Sequence, residues 1–194
     1  MSSLRSRALI GVALCALAAS ALVLRGQPGA SRGAGASTRL LAPFAPLLAR
    51  VQWVRLEQAM RSGRTELVLA RAESLLETEA RSADAHVFVS MYFAFTLASP
   101  ERELDPQLRA RWLRVGLEIT RRGEATVDEP ALLAQWQGEL LARAAQNDPQ
   151  LVWEGGERAL WSAALEHFER AAKLGAPRAA ERAELAREAL EPLR

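Results

Sequence analysis

From residue 43 to the C-terminus, stretches with helical periodicity are cut repeatedly by residues that end or begin helices. The breaks are Gly63, Ser82-Ala83-Asp84, Ser99-Pro100, Asp105-Pro106, Gly123, Glu129-Pro130, Asn147-Asp148-Pro149, Gly155-Gly156, Gly175 and Pro177. Proline cannot continue a helix, glycine readily leaves one, and Ser or Asp can cap the exposed N–H groups at the start of the next. A chain punctuated in this way cannot form a few long helices. It must build many short ones, joined by tight connections that make neighbours antiparallel.

Each segment between breaks carries an apolar stripe at the 3.6-residue period, and none alternates in the manner of a strand. The first stripe, in residues 43–62, is Leu47, Val51, Val54 and Gln58, with Leu48 beside it. The second is Val68, Ala72, Leu75 and Leu76. The third, Val87, Phe88, Met91, Tyr92 and Phe95, is the most apolar and is expected to be the most buried. Leu108, Trp112, Val115 and Ile119 follow, then Leu133, Trp136, Leu140 and Ala144, then Trp161, Leu165, Phe168 and Ala172. The alanine-rich, charged run AAERAELAREALEPLR suits a terminal cap whose outer face meets water. The expectation is an all-α body of about seven helices over residues 43–194, stacked as antiparallel hairpins.

The 42 residues before this body differ in kind. Residues 8–24, ALIGVALCALAASALVL, hold no charge and no proline, follow Arg5 and Arg7, and end at Arg25. As a helix the run would be about 26 Å long, close to the ~30 Å hydrocarbon core of a bilayer. Residues 1–25 therefore read as a signal anchor forming one transmembrane helix. Cleavage as a signal peptide, releasing a secreted or periplasmic protein, is the alternative, since small-residue pairs such as Ala19 and Ala21 are present. The apolar run continues through Leu22, Val23 and Leu24 beyond those pairs, which favours the anchor. Residues 26–42, dominated by Gly, Ala and Ser, have the composition of a flexible linker. The short basic segment before the run places the body outside the cytoplasm, on a single-pass protein of the cell inner membrane.

Charge sharpens the division. The first 42 residues hold Arg5, Arg7, Arg25, Arg32 and Arg39 and no carboxylate, for there is no Asp or Glu before Glu57. That leaves 20 of the 25 basic residues against all 23 acidic ones, a net charge of −3 for the body. A mixed, mildly acidic body lacks the clustered basic face of a nucleic-acid-binding domain. Lys173 is the sole lysine among those 25 basic residues, a bias expected of a GC-rich bacterial coding sequence.

Two stretches resemble the tetratricopeptide repeat. In SGRTELVLARAESLLETEARSADAHVFVSMYF, Gly63 stands where the repeat has the glycine between its helices, and Val68, Ala72 and Leu75 occupy second-helix packing positions. His86, Val89, Ser90 and Phe93 fall where the next repeat would begin. In SAALEHFERAAKLGAP, Ala164, Phe168 and Ala171 match the second-helix pattern, with Trp136 and Gly138 similar to the helix before it. Ala80 replaces the usual terminating proline and His86 the usual tryptophan, and there are insertions at residues 99–106 and around Trp153. The resemblance implies a short right-handed superhelix with a face that binds a protein or peptide, and it implies no catalysis.

The residues themselves present no catalytic constellation. His86 and His167 lie on different helices without metal-ligand spacing, and the one cysteine, Cys15, is in the N-terminal apolar run. Gly155-Gly156 lacks the lysine of a phosphate loop. No metal, cofactor or catalytic residue is expected. Trp153 stands apart from any helix stripe, next to Glu154 and the two glycines; packing of its indole against Trp161 or Leu160 is the expected role, and partner binding, for which it is the candidate residue, is the alternative. The expected function is a membrane-tethered helical-repeat scaffold that mediates protein–protein interaction. A structural subunit of an envelope complex, an exported helical protein and, less favoured, a small helical enzyme are the alternatives.

Overall fold

The computed structural model describes residues 45–193, and every element in them is helical. The apolar run 8–24 and the linker 26–42 lie outside the described residues. Among the described residues no helix is long and apolar enough to cross a membrane. Seven α-helices follow one another: α1 (Ala45–Ser62), α2 (Thr65–Thr78), α3 (Ala83–Met91), α4 (Pro106–Gly123), α5 (Pro130–Asn147), α6 (Gly156–Lys173) and α7 (Ala179–Leu190). A π-helical segment, Tyr92–Leu97, prolongs α3, and a 3₁₀ turn, Glu191–Leu193, ends the chain's described part.

The punctuation acts as the residue types require. Ser82 caps α3 by accepting from the Ala85 N–H at 3.2 Å, and Asp105 caps α4 by accepting from Gln107 N–H at 2.8 Å. Pro106 and Pro130 sit in the first turns of α4 and α5, where no donor is lost. Gly63 turns the chain between α1 and α2 at φ +68°, and Gly155 precedes α6 at φ +80°. Both values lie in the left-handed region that glycine adopts without strain.

Packing sorts the helices into two larger apolar clusters, with two smaller ones around Leu133 and Ala134. The first joins Leu56 and Ala59 of α1, Val68, Ala72 and Leu75 of α2, and Val89, Phe93 and Leu97 of α3 and its extension. The second joins Leu113 of α4, Leu140 and Leu141 of α5, Leu160, Trp161 and Phe168 of α6, and Ala183 and Ala186 of α7. Small residues let the backbones approach. A Cβ on Gly116 would stand 2.8 Å from the Ser90 carbonyl oxygen, and one on Gly138 would meet the Phe168 ring at 2.6 Å. Both glycines are therefore required by close helix crossing rather than by backbone conformation.

The helices match expectation, but the faces they bury differ in places. Leu47, Leu48, Val51 and Val54 of α1 point outward, and the helix buries Ala49, Leu56 and Ala59 instead. On α4 the buried residues are Arg109, Ala110, Leu113, Gly116, Thr120 and Gly123, about a quarter turn from the Trp112–Ile119 stripe. On the third segment Phe88 is exposed and Met91, Tyr92 and Phe95 are half-buried, whereas Val89, Ser90 and Phe93 are enclosed. The faces that meet neighbouring helices mix small residues with a few large ones, Leu56, Phe93 and Leu113 among them, and the remaining apolar residues stay partly or wholly exposed.

Candidate partner-binding groove

Helices α2 and α4 pack on opposite flanks of α3 and leave a channel between them. Its walls are Leu69, Ala72 and Leu76 from α2 and Val115 and Ile119 from α4. Phe93 and His86 from the central helix close its base. The volume is about 670 Å³, more than that of the openings between α5 and α7 (about 450 Å³) or beside Phe95 (about 280 Å³). The rims are charged: Glu73 and Glu77 along α2, and Arg114, Glu118 and Arg122 along α4. An apolar floor between charged rims suits the apolar face of an amphipathic segment whose edges remain in water.

The α4 rim is internally ordered. Glu118 accepts from Arg121 at 2.7 and 2.8 Å and from Arg122 at 2.7 Å. The hydrogen bonds from Arg121 and then Arg122 hold its carboxyl well below the usual range, at about 2. The rim therefore keeps both signs of charge throughout the physiological pH range.

His86 is enclosed at the base. Its Nδ1 is 2.9 Å from the Ser82 carbonyl oxygen, which can only accept, so Nδ1 carries the proton. The ring fills the space left by Gly123, where any Cβ would collide with it. His167 shows the opposite tautomer. Arg170 Nη2 lies 3.0 Å from its Nδ1, and a guanidinium can only donate, so Nδ1 is bare. Burial first, and the Arg170 charge second, push the His167 ring down to about 4. Arg170 also donates to Glu124 at 2.7 Å and to Gln137 at 2.9 Å, and Gln137 donates to Glu124 at 2.6 Å. This network fastens α6 to α5 and to the end of α4. The two histidines share no hydrogen-bond partner, and among the described residues no group of three or more His, Cys, Asp or Glu could hold a metal ion.

Trp153 lies in the connection between α5 and α6, half-buried against the cluster that contains Leu160 and Trp161. It does not line the groove. The guanidinium carbon of Arg114 stands 4.9 Å above its ring, a cation–π contact, and Arg114 does line the groove. The loop tryptophan thus props one cationic residue of the α4 rim.

Sequence reasoning did not identify the groove, because Val115 and Ile119 read there as core. The available signal was an excess: α2 carries Leu67, Leu69 and Leu76 in addition to the buried Val68, Ala72 and Leu75. One hairpin contact does not need that many. Arg109 was also missed. It is 2% exposed, donating to Asp148 at 2.6 and 2.9 Å and to the carbonyls of Glu103 and Leu104 at 3.0 and 3.1 Å. The pair clamps the loop before α4 to the end of α5, and loss of one partner of such a buried pair typically costs about 3–5 kcal/mol. In sequence it is one arginine among 24 and carries no distinguishing mark.

No family model matches this chain, and neither a curated protein nor a solved structure is significantly similar to it.

Proposed function

We propose that this protein is a membrane-tethered helical scaffold that binds a protein or peptide partner, and that the groove between α2 and α4 receives it. The observation that carries this reading is the apolar channel of Leu69, Leu76, Val115 and Ile119 between charged rims. Its volume and its two facing apolar walls fit a helix laid lengthwise, with apolar residues at i, i+3, i+4 and i+7 entering the channel. Acidic α2 and the two arginines of α4 would orient that helix, its basic edge toward Glu73 and Glu77 and its acidic edge toward Arg114 and Arg122. Trp153 contributes by holding Arg114.

The tetratricopeptide-like superhelix belongs to the same proposal. Supporting it are the seven consecutive helices and the seating of Phe168 against Gly138, two residues at matching positions of the repeat pattern. The tether is the apolar run 8–24, with the helical body outside the cytoplasm at the inner membrane. Carbonate extraction tests the tether: the full chain should remain with the membrane pellet.

The groove is tested by selecting amphipathic helical peptides against the detergent-solubilised full chain and measuring the selected peptide on variants. Ile119→Asp should weaken it at least about tenfold, the loss of one central apolar anchor. Trp153→Ala should weaken it less, and the effect should shrink when Arg114 is already Ala, since the two act as a pair. Peptides that bind Ile119→Asp as well as the original protein would remove the groove from consideration.

A further inference from the structure

Helix α1 presents an apolar stripe to the outside of the array. Leu47 is 61% exposed and Val54 is 53% exposed, with Val51 between them. At 100° per residue these three share one line, and Gln58 continues it. Arg50 borders the line on one side and Arg55 on the other, and both are exposed. The opposite side of the helix is committed to the core through Leu56, Ala59 and Trp53, whose ring meets Phe88 edge-on at 5.0 Å. The stripe is therefore not a misplaced core face: turning it inward would bring Leu56 and Ala59 out into water.

We propose that this face of α1 lies on the surface of an anionic phospholipid bilayer, its aliphatic line entering the headgroup boundary and Arg50 and Arg55 pairing with lipid phosphates. Two observations select lipid over protein. The first is charge: Arg50 and Arg55 flank the outward line, and the one carboxylate of the helix, Glu57, is already engaged by Arg61 at 2.9 Å. An apolar line between basic residues is the pattern of helices that rest in the membrane interface, where arginine stems cover apolar surface and the guanidinium reaches the phosphate layer. The second is position. Only 20 residues of sequence separate Leu24, the end of the apolar run, from α1. The positional argument rests on the proposed anchor, whereas the charge argument is independent of it. The consequence is an oriented scaffold, with its α1 end against the membrane.

The test uses the full chain with Cys15→Ser and a single new cysteine, Val54→Cys on the stripe or Glu184→Cys on α7, carrying an environment-sensitive fluorophore. Each protein is reconstituted in phosphatidylcholine vesicles with or without about one third phosphatidylglycerol, and quenching by lipid-borne bromine is read. Flotation of the vesicles reports the anchor separately. The label at 54 should shift to the blue and be quenched in the anionic vesicles, far less in the neutral ones, and the label at 184 in neither. Arg50→Glu with Arg55→Glu should abolish the quenching without loss of flotation, and each arginine removed singly should weaken the contact on the order of fivefold. Flotation without quenching at 54 would overturn the inference and leave the anchor standing. Failure to float would overturn both. A blue shift that grows with protein density but is insensitive to lipid bromine would mean that a second copy covers the stripe, and would also overturn it.

Discussion

The two ends of the helical array are finished differently. At the C-terminal end α7 buries only alanines, Ala179, Ala183 and Ala186, so it lies close against its neighbours. Its other faces carry Glu181, Arg182, Glu184 and Arg187. Arg182 reaches Glu139 of α5 at 2.9 Å, and Arg187 reaches Glu169 of α6 at 2.9 Å. This end is largely polar, Leu185 being the one large apolar side chain that α7 leaves exposed. At the N-terminal end α1 is held by Leu56, Ala59, Trp53 and Met60, and its outer line is aliphatic. No ion pair ties α1 to another helix among the described residues; Arg61 pairs with Glu57 of its own helix at 2.9 Å. What separates the two ends is whether the residues left outside are mostly carboxylates and arginines or mostly aliphatics and arginines, Glu57 being the one carboxylate of α1.

Replacing Phe168 tests the C-terminal end most severely. Phe168→Ala would empty the space between α6 and Gly138, and truncation of a buried aromatic typically costs about 3–5 kcal/mol. Thermal and denaturant melts of the full chain should show this loss. A change below about 1 kcal/mol would mean that the C-terminal end is as loosely held as α1, and the contrast would fail.

A pH series tests the network that fastens the same end. His167 titrates at about 4 in the folded protein, below the ordinary value near 6.5. The unfolded chain therefore takes up a proton first as the medium becomes acidic. The contribution of the neutral ring is complete above about pH 6.5 and declines as pH falls toward 4, by on the order of 2 kcal/mol once solvent screening of the partly exposed ring is discounted. His167→Gln should flatten the stability curve across that window. A slope unchanged by the substitution would assign the acid sensitivity to other groups.

The smallest effect is expected on the outer line of α1. Val54→Ser removes no core contact, so the melt should move by no more than about 0.5 kcal/mol. Leu56, two residues on and fully enclosed, should by contrast lose about 2–5 kcal/mol when replaced by Ala. Equal costs at the two positions would show that the face assignment of α1 is wrong.

The contrast also explains which parts of the molecule were legible in advance. Helix boundaries were, because caps and breakers act within a few residues: Asp105 and Pro106 start α4 wherever it packs, and Gly123 ends it. The all-α class followed from the same local chemistry together with the 3.6-residue period. The groove was not legible, because its Val115 and Ile119 form a stripe indistinguishable from a core stripe. Nor was the α1 surface, whose Leu47, Val51 and Val54 have the same spacing.

The amino-acid sequence by itself determined where the chain is helical and where each helix stops, since those depend on backbone hydrogen bonds and side chains only a few residues apart. It also determined the apolar character of the walls and of the α1 line. Tertiary structure alone decided which apolar face is enclosed and which is left open. That choice depends on what stands opposite: Gly116 and Gly138 admit a neighbour at a distance no larger residue would permit, and Val115 and Ile119, on the α4 face next to the Gly116 contact, are left partly exposed. The Arg109–Asp148 pair, 39 residues apart in sequence, is likewise a product of the assembled fold, because only the meeting of α4 with the end of α5 gives the guanidinium a buried carboxylate to bind.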